Sequence, residues 1–339
     1  MIKFTSGCFR GDSDLVAGLA VNRNCIFKTT NELLTTEREQ FRKLFSRVFR
    51  KDLSSREFDR KYMHTPLGYS YHGLMSSEDQ LVGTYNIIPY WYDCFGVRIL
   101  FGLSTDMMVA EEHRDGPFNV IKMVHLVYEA LKRDDVGFVF GFPNKNAYQF
   151  TRRVLKWDDI GELDFYGLPI NIAALRPKLS WANSITRLCA GGFARLLRVQ
   201  REVRTNFNIQ KVNGRYFEEH RYGDQYEVTD LSGGGKCLYR IYTEDGGVRT
   251  LYIIDVVPLT SKDFLEAVRE IRAIADKHAD LILYVGKLPF HPAGLIRIPR
   301  SKQPRRIMMC GKVLDCQSVD ERVFKIDNWN VNISNFDVR

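Results

Sequence analysis

Long apolar runs are missing from this sequence of 339 residues, and no stretch approaches the roughly 20 residues that span a bilayer. The opening MIKFTSGCFRGDSDL also lacks the apolar core of a secretory leader. Cysteine is sparse and shows no pairing pattern. The seven, Cys8, Cys25, Cys94, Cys189, Cys237, Cys310 and Cys316, are odd in number and form no C-x-x-C pair, which argues against a disulfide framework and against a metal site. These absences predict a cytoplasmic protein without a metal. Acidic residues are absent from Leu281 to Leu314, a segment that carries Lys287, Arg297, Arg300, Lys302, Arg305, Arg306 and Lys312. That segment also lacks the interleaved aromatics that stack on bases, so nucleic acid is disfavoured as a partner. Its prolines, Pro299 and Pro304, favour an extended loop, which suits a wall around a phosphorylated ligand.

The formal net charge of +8 is unevenly placed: residues 1–170 hold 22 basic and 22 acidic residues, and the remainder holds 27 and 19. The C-terminal surplus implies an anionic partner there. A hydrophobic content of 45% is ordinary for a globular chain, and the length suffices for two cores.

Phe101 to Trp157 carries the densest pattern. An apolar run at Leu103 to Val109 predicts a strand, and Glu111 to Pro117 a polar loop. Val120, Met123, Val124, Val127, Tyr128 and Leu131 then recur at helical spacing. Val136 to Phe140 predicts a buried strand, and a second helix is expected from about Asn146 to Leu155. A βαβ unit of this length places its strands side by side and parallel, with the first loop opening at the positive end of the helix. Arg114, Gly116 and Pro117 sit in that loop, so it has the chemistry of an anion site.

These residues resemble the GNAT superfamily of N-acyltransferases. The resemblance implies main-chain contacts from Met107, Met108 and Val109 to the pantetheine of an acyl-CoA donor. It places the pyrophosphate in the loop of His113, Arg114, Asp115, Gly116, Pro117, Phe118 and Asn119. Here the loop departs from the family pattern: with Arg114 in the first motif position the glycine falls one residue early, and a proline takes a glycine site. The run GFPNKNAYQFTRRVLKW is similar to the Asn-rich helix entry of the superfamily and resembles a bacterial branch with a Gly-Phe-Pro-Asn-x-Asn signature, met in polysaccharide gene clusters. It adds Asn144 and Asn146 as cofactor contacts.

The implied fold is α+β or α/β: a mixed, mostly antiparallel sheet flanked by helices. The expected organisation is a tail over 1–24, an acyltransferase domain over 25–175, a basic amphipathic linker helix over 176–209, and a second domain over 210–339. In that second domain TLYIIDVV, the helix from Lys262 and LILYVG repeat the order of the first unit, with SKDF replacing the Arg-Gly-Pro loop. A degenerate GNAT-like domain without a cofactor is therefore expected.

Asp106, beside the gap where the two parallel strands separate, is the candidate general base. Thr151 stands where the family motif has its usual tyrosine, so Tyr148 substitutes as the candidate acid. Tyr62 and His64, on helices that the family sets over its acceptor site, are candidate substrate contacts. Arg297, Arg305 and Arg306 would bind an acceptor amine that is phosphorylated or lipid-linked, such as an amino sugar of polysaccharide or cell-envelope biosynthesis. The stripe from Trp181 to Arg204 is read as a helix docked on its own protein, with peripheral membrane contact as the other reading. Two rival functions remain: a Fem-type transferase using aminoacyl-tRNA, a family that also has two GNAT-like halves and basic surfaces, and, given the altered glycine loop, a degenerate pair acting only as a binding protein.

Overall fold

The computed structural model describes residues 23–171, 207–212, 226–315 and 317–336. The expected basic helix, with Arg195 to Arg204, and nearly all of the expected N-terminal tail lie outside the described residues. In chain order, Arg23–Thr29 (β1) leads to helices Thr35–Phe49 (α1) and Ser55–Tyr62 (α2). Strands Tyr71–Ser77 (β2), Gln80–Cys94 (β3) and Val97–Val109 (β4) follow, then Phe118–Arg133 (α3), Val136–Gly141 (β5) and Lys145–Arg153 (α4). Asp158–Glu162 (β6), Asp164–Pro169 (β7), Ile209–Lys211 (β8), Glu227–Asp230 (β9), Lys236–Thr243 (β10) and Arg249–Val257 (β11) come next. Ser261–His278 (α5), Leu281–Gly286 (β12), Ile296–Arg297 (β13), Met308–Val313 (β14) and Trp329–Asn330 (β15) complete the series.

Two compact units result. The first takes the residues up to 90, 100–159 and 310–319; the second takes 91–99, 160–309 and 320 onward. In the first unit the strand order is β1-β2-β3-β4-β5-β14. β1, β2 and β3 form an antiparallel meander, with Cys25 opposite Met75 and His72 opposite Asn86. β4 and β5 are parallel, as the crossover helix α3 between them requires. Every residue of the expected apolar face of α3 is buried, and α3 packs on β1 and β2. β14, far away in sequence, lies antiparallel on the outer side of β5, with Cys310 opposite Gly141.

The cap of α1 is Leu34, whose N–H is accepted by Glu37 at 2.8 Å. One local expectation changes. Leu103–Val109 is not a strand of its own: it continues the run from Val97, and β3 passes through Pro89 to Cys94. A turn follows Asp93, with Phe95 and Gly96 both at positive φ, 51° and 86°, the geometry of a two-residue hairpin turn.

The second unit has the order β13-β7-β12-β11-β10-β9. The hairpin β10/β11 closes over Glu244–Gly247. Thr260 caps α5 by accepting from the Asp263 N–H at 3.1 Å. β11 and β12 run parallel across that helix, and β7 lies antiparallel on the outer side of β12. Leu251, Ile253, Phe264, Ile271, Ile282 and Tyr284 are the heart of its core.

Candidate functional site

The parallel pairing of β4 with β5 runs from Leu100↔Val136 to Ser104↔Gly141 and stops. β4 continues to Val109, and Ser104 to Met107 remain half-exposed. The β5-facing edge of β4 is therefore left open over the residues expected to meet pantetheine. The loop that follows is tied to the first unit by its own acids. Asp115 pairs with Arg23 at 2.5 Å, which holds its carboxyl below the usual range, and Glu112 pairs with Arg47. Arg114 donates Nε to the Val109 carbonyl at 2.9 Å, which occupies one main-chain acceptor of the expected pantetheine edge. His113 Nδ1 is buried without a hydrogen-bond partner. Gly116 has open space where a side chain would stand. Pro117 starts α3 with no side-chain cap, and Phe118 and Asn119 form its first turn, Phe118 being strongly exposed. The first N–H groups of α3 thus keep their capacity for an anion.

Asp106 sits at a kink of β4 with φ of 45°, in the left-handed region that few residues other than Gly, Asn and Asp tolerate. Its carbonyl accepts from Asn86 Nδ2 at 2.9 Å. Since that amide nitrogen faces a carbonyl, Asn86 Oδ1 must accept from His72 Nδ1 at 2.8 Å, which leaves His72 Nε2 to accept from the Thr30 hydroxyl at 2.8 Å. Full burial lowers the His72 pKa to about 4 and keeps the ring neutral. Phe41, Phe58 and Tyr62 surround that ring. The Asp106 carboxylate accepts from Lys61 Nζ at 2.5 Å and from the Tyr62 hydroxyl. The sequence reading missed Lys61, His72, Asn86 and Thr30. The signal was there: a histidine in YHGLM and an asparagine in TYNII are polar residues inside apolar strand runs.

Asn144 caps α4, its Oδ1 accepting from Asn146 N at 3.0 Å and Ala147 N at 2.9 Å. Its side-chain oxygen is thus engaged by the fold, while Asn146 is exposed. Tyr148 donates to both oxygens of Asp159 at 3.0 Å. Partial burial and that carboxylate raise its pKa. Cys310 also reaches Asp159, at 3.3 Å, and burial pushes its thiol up to about 12. Thr151 is buried and His64 exposed.

In the second unit the arginine segment meets acids that the sequence keeps far away. Arg297 pairs with Asp164 at 2.5 Å. Arg306 grips Glu162 with two bonds, of 3.0 and 2.9 Å. Both acids are buried, so much of this segment's charge is answered within the fold, while Arg305 and Lys302 are exposed. The end of the second parallel pair is also occupied. Pairing stops at Ile253↔Tyr284. There Asp255 accepts from Lys211 Nζ at 2.6 Å, Asn332 Nδ2 at 2.7 Å and Ser334 Oγ at 3.3 Å. Val331 accepts from Lys287 N, and Asn332 bridges Gly286. Among the described residues no helix is long and apolar enough to cross a membrane.

Residues 30–154 match the acetyltransferase (GNAT) domain family. That segment of the chain is thus similar to a GNAT acetyltransferase domain. Solved structures share its fold at low identity. A probable N-acyltransferase of Enterococcus faecalis V583 is 16% identical, with a TM-score of 0.56 over 88% of this chain and 74% of that one. A GCN5-related N-acetyltransferase of Kribbella flavida is 14% identical, with a TM-score of 0.57 over 88% and 73%. Another, from Anabaena variabilis ATCC 29413, is 12% identical, with a TM-score of 0.54 over 85% and 73%. No curated protein sequence matches the chain.

Proposed function

We propose that the chain transfers an acetyl or other acyl group from acyl-CoA to a small-molecule amine carried on phosphate, such as a nucleotide-linked or lipid-linked amino sugar of polysaccharide or envelope biosynthesis. The observation that carries this reading is the early end of the β4/β5 pairing, which leaves β4 an open main-chain edge beside the uncapped start of α3. Met107 to Val109 would pair with the pantetheine amides. The loop from His113 to Asn119 would hold the pyrophosphate, with Arg114 and the first N–H groups of α3 as donors. Asn144 and Asn146 would border the donor, and Tyr62 and His64 the acceptor.

The chemistry is direct attack in a ternary complex. The amine nitrogen bonds to the thioester carbonyl, the C–S bond breaks, the proton of the attacking nitrogen passes to Asp106 or to water held by it, and the thiolate takes up a proton. Tyr148 is the candidate donor of that last proton; to give it, the phenol must leave Asp159, to which it now donates. The charge surplus of the C-terminal half supports a phosphate on the acceptor, with Arg297, Arg305 and Arg306 as its ligands. Arg297 and Arg306 would have to share their guanidinium groups with Asp164 and Glu162, so Arg305 is the residue to test.

Calorimetric titration with acetyl-CoA and with free CoA tests the donor, and saturable binding of both is expected. Acceptor KM should rise with ionic strength more than CoA affinity falls. Arg305→Ala should raise KM for a phosphorylated amino sugar and leave its uncharged analogue unaltered. Equal turnover of the two by the unmodified protein would remove the phosphate from the proposal.

A further inference from the structure

Lys61, the last residue but one of α2, has a side chain 6% exposed, against an Asp106 side chain that is 12% exposed. An ammonium this deep loses most of its hydration, and an ion pair regains that loss only where the geometry is tightly defined. Here the geometry is over-determined. The kinked Asp106 backbone is held through Asn86 and His72 back to Thr30. Its carboxylate is held separately by Lys61 and Tyr62, both bonding to Oδ2. Lys61 and Tyr62 are neighbours on one helix turn, so α2 aims a cation and a phenol at a single oxygen.

We propose that Lys61 is a positioning residue for acyl transfer: its ammonium, with the Tyr62 hydroxyl beside it, fixes the Asp106 carboxylate at the point where the open edge of β4 begins. The inference rests on the reading of Asp106 as the proton acceptor. Proton transfer demands a defined donor–acceptor distance, and a carboxylate free to change rotamer at a strand kink would offer several. Lys61 touches neither the donor nor the acceptor in this scheme. It acts through Asp106.

The competing role is a plain staple between α2 and β4, and three variants separate the two: Lys61→Met, Lys61→Arg, and Lys61→Met combined with Asp106→Asn. For each, kcat, KM for acetyl-CoA, the calorimetric CoA affinity and the melting temperature are measured. Lys61→Met should lower kcat by roughly 10- to 100-fold, within or below the span of general-base catalysis, while CoA affinity changes by less than about twofold. Lys61→Arg, which keeps the charge, should recover part of kcat. The double variant removes both charges and, lacking the base, reports the staple alone: it should regain the melting temperature lost in Lys61→Met. Wild-type kcat in Lys61→Met, or joint recovery of kcat and melting temperature in the double variant, would overturn the positioning role. If Lys61→Met does not fold, Lys61→Gln takes its place: lowered kcat at unchanged CoA affinity supports the positioning role, and wild-type kcat overturns it. Absence of acetyl-CoA binding by the unmodified protein would refute the acyl-transfer reading itself and this inference with it. Binding and turnover with a fast Lys61→Met would remove only the latter.

Discussion

Each unit lays two parallel strands side by side beneath a crossover helix, and each sets an aspartate just past the point where those strands stop pairing. Asp106 is paired with Lys61 and Asp255 with Lys211. The surroundings differ. Past Ser104↔Gly141, residues 104–107 stay half-exposed, whereas past Ile253↔Tyr284, residues 253–256 are buried, with Val331–Asn335 bonded to Asp255 and to the end of β12. Backbone groups at the end of a splayed pair need partners. The second unit supplies them from its own chain, and in the first they are the groups proposed to meet the acyl donor. A buried lysine–aspartate pair is therefore no mark of catalysis by itself; an open strand edge beside it is what sets the first unit apart.

The sharpest way to break this comparison is Lys211→Met. It leaves the Asp255 carboxylate buried without its cation and should cost about 3–5 kcal/mol of stability, read from denaturant unfolding, with CoA affinity unchanged in the folded fraction. Loss of CoA binding would mean that the filled end takes part in function after all.

The second test uses acid. His72 has its folded pKa lowered to about 4 by burial, against about 6.5 for a free imidazole. Between those values the unfolded chain binds the proton and the folded one does not, so stability must fall as pH drops from about 6.5 towards 4, by up to about 3 kcal/mol. Urea unfolding at pH 7 and pH 4.5 should show the loss, and His72→Gln should flatten it. An equal slope in that variant would place the effect elsewhere than behind the open edge.

Arg114→Ala should weaken CoA binding by about 1.5–3 kcal/mol, the range for charge-assisted hydrogen bonds, with melting temperature little changed because Arg114 is exposed. Unchanged affinity would refute the proposed pyrophosphate loop. The smallest pair of effects comes from glycine. A Cβ at Gly286 would stand 2.6 Å from the Val331 carbonyl oxygen, so Gly286→Ala should cost about 1–3 kcal/mol by forcing the inserted segment away. At Gly141 the nearest atom is the Ser104 carbonyl oxygen at 3.2 Å, and Gly141→Ala should cost less than its counterpart. Equal costs in thermal unfolding would argue that both ends are equally filled.

Much of this was legible in residue order. The apolar spacing from Val120 to Leu131 marked the buried face of α3, because it depends on neighbours within four residues; the caps of Ser54 with Glu57 and Thr260 with Asp263, found in the structure, are equally local. The candidate base Asp106 was reachable from the strand-end position alone. Its partners were not: Lys61 and Asn86 lie 45 and 20 residues away, and only the packing of α2 and the β2/β3 register brings them there. Charge was the poorest guide. Glu162 and Asp164 neutralise Arg306 and Arg297 across more than 130 residues, so a segment without acids in sequence is not without acids in space.

The sequence by itself determined the order of helices and strands, the parallel sense of both pairs and the family resemblance of the first unit, since periodicity and a crossover helix of sufficient length leave few other solutions. Tertiary structure decided the rest. It placed β14 beside β5 and β7 beside β12, and it buried Lys61 against Asp106. It also closed one strand end while leaving the other open, because hydrogen-bond partners and counter-charges are chosen by proximity in the folded chain and not by distance along it.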